Sequence, residues 1–104
     1  MDSLIKDLQK TIEALETLSD MPATAGEQID ELLDQLFQQK IDLVRASLNA
    51  SSQAFQQASH AMKLAASKAS RTVKEPTQVG EMGKAVAEAV SKLARLLDSA
   101  TSID

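Results

Sequence analysis

Residues 27–75 contain neither glycine nor proline, the two residues that most reliably interrupt a helix. Within and around this tract, large apolar residues recur at steps of three and four, the spacing of one helical face. Nowhere do β-branched or aromatic residues alternate with polar ones over several positions, so no strand is expected. A chain written this way is restricted to all-α folds, and the open question is how its helices divide and pair.

Three apolar patterns stand out. The first helix is expected over about residues 3–19, where Ile5, Leu8, Ile12 and Leu15 form a stripe that Leu4 and Leu18 widen. Pro22 cannot continue it. "TAGE" at 24–27 then has the form of a capping box, with Thr24 accepting from the Glu27 N–H and the Glu27 side chain reaching back. The second helix is expected from about residue 25, opening with Ile29, Leu32, Leu33, Leu36 and Phe37. From Ile41 the pattern reads as a heptad: Ile41, Leu48, Phe55, Met62 and Ala69 at one seam position, Val44, Ser51, Ala58, Ala65 and Thr72 at the other. Pro76 ends it, since the residue before a proline is pushed out of the helical region. A last helix over about 77–99 carries the cleanest seam, Val79, Met82, Val86, Ala89, Leu93, Leu96 and Ala100. Residues 101–104 are expected to fray.

Two architectures satisfy these patterns. In both, the 104 residues form a single antiparallel helical bundle, with one modest core. Kept whole, the second helix would be about 70 Å long at about 1.5 Å per residue, giving three helices around a long central one. Ser and Asn in "SLNASS" (47–52) lower helix propensity, and a break there gives four helices. The uninterrupted heptad phase favours the elongated form.

Composition narrows function by exclusion. No cysteine is present, which removes disulfides, thiolate metal sites and cysteine nucleophiles. Phe37 and Phe55 are the only aromatic residues, so base-stacking platforms and aromatic interface anchors are scarce. A net charge of −4 weighs against nucleic-acid binding. The start "MDSLIKDLQK" does not read as a secretory signal, and no apolar run reaches the length of a membrane span, so a cytoplasmic protein is expected. One histidine, His60, rules out a two-pair Glu-x-x-His metal site, and no serine sits on a nucleophile elbow. Neither a cofactor nor a metal is expected. "NAS" at 49–51 matches a glycosylation sequon but lacks the secretory context that would give it meaning.

The charge is uneven. Residues 1–46 hold four bases and ten acids, a balance of −6, whereas residues 47–104 hold seven bases and five acids, a balance of +2. Glu27, Asp30, Glu31 and Asp34 cluster on one stretch; His60, Lys63, Lys68, Arg71 and Lys74 form a basic one. Alanines 50, 54, 58, 61, 65 and 69, together with Gly80, Gly83, Ala87, Ser91 and Ala94, make small-residue surfaces that permit close helix approach. They suit either a groove for a partner helix or intramolecular packing. The pattern as a whole points to a non-enzymatic protein–protein interaction module, of the adaptor, secretion-chaperone or antitoxin/immunity-like inhibitor kind, with a self-assembling helical scaffold or coat as the alternative. Its partner is expected to be another protein or a second copy of itself. The residues expected to carry that contact are Leu48, Phe55, Ala58, Met62 and Ala65 on the lean seam and Asp30, Glu31 and Asp34 on the acidic face.

Overall fold

The computed structural model describes residues 2–46 and 48–101; the expected frayed tail lies outside these, apart from Thr101. Four α-helices follow one another: α1 (Asp2–Asp20), α2 (Glu27–Arg45), α3 (Gln53–Lys74) and α4 (Val79–Thr101), with a single 3₁₀ turn at Pro76–Gln78 leading into α4. The bundle measures 44 × 20 × 19 Å, with a radius of gyration of 13.4 Å. The antiparallel all-α bundle therefore stands in its four-helix version, and the long central helix gives way to two.

The break has a local cause. Ala46 leaves the helix with extended backbone (φ −76°, ψ 146°). Asn49 Oδ1 accepts from the Ser51 N–H at 2.9 Å, a side-chain turn that competes with helix. Ser52 Oγ then accepts from the Phe55 N–H at 3.1 Å and caps α3, a contact worth about 1 kcal/mol. The heptad phase read through Ile41 and Val44 is not the phase that α2 buries. Its buried face is Ile29, Leu32, Leu33, Leu36 and Leu43, while Ile41 and Val44 point outward. Breaking the helix lets Phe55 and Met62 turn into the core without carrying Ile41 and Val44 with them.

The α1–α2 corner also departs from the capping-box expectation. Thr24 is buried and donates its hydroxyl to the Leu18 carbonyl at 2.7 Å, so it satisfies the end of α1 rather than the start of α2. Gly26 occupies the N-cap of α2 with no side-chain cap.

Helix order follows from named contacts. Ser19 Oγ donates to Asp30 Oδ1 at 2.9 Å and Lys40 Nζ donates to Gln9 Oε1, so α1 and α2 are antiparallel neighbours. Gln28, at the start of α2, lies against Gly83, at the start of α4, where an added β-carbon would come within 3.1 Å of Gln28 Nε2. Further along the same pair, Gln39 Nε2 donates to the Val90 carbonyl at 2.8 Å. Thus α2 and α4 run parallel. The short link through Pro76–Gln78 makes α3 antiparallel to α4 and so parallel to α1, which it also touches. Around the bundle the order is α1, α2, α4, α3, with α2 and α3 on a diagonal. The molecule is two antiparallel hairpins laid side by side. The chain between Arg45 and Gln53 crosses the end of the bundle, where Leu48 packs against the core.

The core is aliphatic. Leu4, Leu8, Ile12, Leu15 and Leu18 of α1 meet Leu36 and Leu43 of α2, Met62 of α3, and Met82, Val86, Leu93 and Leu96 of α4. Ala58, Ala61, Ala65 and Ala69 fill the α3 side, where small side chains let α3 approach both neighbours closely. The seam expected for the last helix is buried from Met82 through Leu96, with Val79 half-buried.

Candidate docking surface

The lean seam of α3 does not face outward. Phe55, Ala58, Met62 and Ala65 are buried within the chain's own core, and Leu48 is half-buried at the bundle end. Thr11 Oγ1 of α1 lies 3.7 Å from Met62 Sδ, which shows how directly α1 covers this face. As placed, these five residues offer little surface to a partner. On α4, Gly83 is buried against Gln28, while Gly80, Ala87, Ser91 and Ala94 are exposed and form a flat strip.

Glu27, Asp30, Glu31 and Asp34 are all exposed on the first half of α2, suiting the positive end of that helix. Only Asp30 has a partner among the side-chain hydrogen bonds, the Ser19 hydroxyl. His60, Lys63, Arg71 and Lys74 are exposed on α3, with Lys68 half-buried; α3 contains no acidic residue at all. Because α2 and α3 are diagonal, the acidic and basic stretches stand on opposite corners of the bundle. The sequence shows the charge imbalance; the diagonal placement is what separates the two stretches in space.

Candidate chemistry is sparse. A shallow cleft of about 20 Å³, enough for one water, is lined by Lys68, Arg71, Thr72, Gln78, Glu81 and Met82. Among the described residues no group of three or more His, Asp or Glu side chains is placed to hold a metal ion. No helix there is long and apolar enough to cross a membrane.

One buried polar group is incompletely satisfied. Gln39 spends its amide N–H on the Val90 carbonyl, and its Oε1 has no partner. An orphaned buried acceptor costs about 1–3 kcal/mol, against about 1 kcal/mol from the bond it makes. Replacing Gln39 by Leu should therefore raise stability by about 1 kcal/mol in urea denaturation. A loss of that size would instead mean that the bond fixes the α2–α4 register and that its removal lets the pair slip.

What periodicity did not single out is a second apolar stripe on α2. Phe37, Ile41 and Val44 are 43, 48 and 67% exposed, at steps of four and three along one face. The Gln9–Lys40 contact fixes the register of α1 against α2, and one turn further along each helix stand Ile5 and Val44. Half-buried Ile5 thus lies level with the exposed end of the stripe. A signal existed in the sequence: Ile29, Leu32, Leu33, Leu36 and Leu43 already complete one face, and the three remaining large apolar residues fall beside it. Reading Ile41 and Val44 as a seam with Leu48 and Phe55 hid the surplus. Comparison with protein-family models, with curated proteins and with solved structures found no match.

Proposed function

We propose that this chain is a non-enzymatic protein–protein interaction module that docks its partner along the exposed face of α2. The observation that supports the reading is the Phe37–Ile41–Val44 stripe, three large apolar side chains left in water on a scaffold whose other helices bury nearly all of theirs. Among the described residues Leu64 is the one other large apolar side chain with comparable exposure, and it stands alone on α3. Isolated exposed residues need no explanation, but three in helical register do. Covering the exposed halves of Phe37, Ile41 and Val44 is worth on the order of 3 kcal/mol by area, and anchors at these steps are the pattern by which a helix face meets another helix or a groove.

Earlier expectations placed the contact on the α3 seam and on Asp30, Glu31 and Asp34. The stripe replaces the seam, and Asp34 remains because it lies one turn before Phe37. A photo-crosslinking amino acid at position 44, in cells expressing the full chain, should give protein adducts on illumination. The same group at exposed Lys84 of α4 serves as the reference. Equal or no protein adducts from position 44 would sink the docking surface.

A further inference from the structure

Resting on that reading, we infer that the occupant of the α2 stripe is a second copy of this chain, paired α2 to α2 in antiparallel orientation about a two-fold axis. The stripe is self-complementary in charge as well as apolar. Asp34 lies one turn before Phe37, Arg45 one turn after Ile41, and both are exposed on the same side of the helix as the stripe. Neither has a hydrogen-bond or ion-pair partner among the described residues.

A two-fold axis on the outward side of α2, level with the 39–40 peptide, sets position 34 of one protomer opposite position 45 of the other, and does so twice. Between these two Asp34–Arg45 pairs, Phe37, Ile41 and Val44 of each helix interdigitate with those of its partner. A closed two-fold contact uses the same patch on both molecules, so each face must be its own complement. The order acid, apolar stripe, base meets that requirement in the antiparallel orientation. Run parallel, the same two helices would set Asp34 beside Asp34 and Arg45 beside Arg45. The basic face of α3 is a different candidate for the acidic half of α2. Because the two stretches stand on opposite corners of one molecule, that contact joins copies head to tail and builds a ring or an open chain rather than a two-fold dimer.

Sedimentation across a concentration series reads the assembly directly, with circular dichroism confirming that each variant is folded. The wild-type chain is expected to pass from monomer to dimer and stop there. Asp34→Arg alone and Arg45→Asp alone each put like charges at both symmetric contacts and should weaken the dimer about tenfold. The double variant D34R/R45D recreates opposite charges and should return the dimer to within about threefold of wild type. Ile41→Asp should leave a folded monomer.

A wild-type chain that stays monomeric, assemblies that grow beyond the dimer, or a double variant as weak as the single ones would each overturn the pairing. The crosslink at position 44 separates this outcome from the broader reading. Adducts at twice the chain mass support self-pairing. Adducts only to a different protein overturn self-pairing and leave the docking surface intact, and an absence of adducts ends both.

Discussion

Leu36→Ala should destabilise the bundle by about 2–5 kcal/mol, lowering the thermal midpoint by more than about 10 °C. Leu36 is fully buried near the middle of α2 and belongs to the continuous core formed by all four helices. Truncating it removes the transfer free energy of three carbons and leaves a cavity. The walls around that cavity cannot close freely, because α2 is held to α1 by the Lys40–Gln9 contact and to α4 by Gln39 and Gln28. In a domain of about 100 residues the total stability is of the order of 5–15 kcal/mol, so this single change takes a large share. Urea denaturation with an unchanged slope is the check. A loss below about 1 kcal/mol would mean that the interior around Leu36 is loosely packed and that the four-helix core is misdrawn.

Enlarging a small residue next to it in kind should cost nearly as much. Ala65→Leu is expected to destabilise by about 1–3 kcal/mol, because three added carbons must fit where α3 approaches its neighbours. Ala65 is fully buried, as are Ala58 and Ala69 one to two turns away on the same face. The adjacent residue makes the contrast. Leu64 is 48% exposed, so Leu64→Ala should change stability by less than about 1 kcal/mol, with the better helix propensity of alanine offsetting part of the lost burial. The outcome reverses ordinary hydrophobic ranking at neighbouring positions: adding a leucine harms and removing one does not. If Ala65→Leu is neutral and Leu64→Ala is not, α3 is rotated from the orientation described.

The two docking experiments and the Gln39 substitution report on opposite faces of α2. Gln39 tests whether α2 and α4 are locked in register. The crosslink and the charge swap test what the outward face of α2 is for. Each variant in the charge swap changes an exposed side chain, so folding and assembly separate cleanly.

How much of this was legible beforehand depends on the range over which each interaction acts. Helix type, the Pro22 and Pro76 stops and the buried face of α4 are local matters, carried by spacing and backbone restriction within a few residues. They survive in the structure with boundaries moved by only a few positions. The Thr24 cap failed because a hydroxyl at a helix–helix corner has two helix ends within reach, and the carbonyl of Leu18 took it. The small residues of α3 were visible as a packing surface, yet nothing local says whether the surface is filled from within the chain or from outside.

The sequence by itself determined that this chain belongs to the all-α class, that its core is aliphatic, and that its first half is acidic and its second half relatively basic. The sequence offered a helix break within "SLNASS" as one of two options, and local turn and cap bonds carry it; the tertiary structure alone decided that α2 and α3 stand on a diagonal and that Phe37, Ile41 and Val44 remain in water. Periodicity reports which side of a helix is apolar but cannot choose among several apolar sides. That choice is made when four stripes must be buried together, and α2 carries more apolar residues than its place between α1 and α4 can cover.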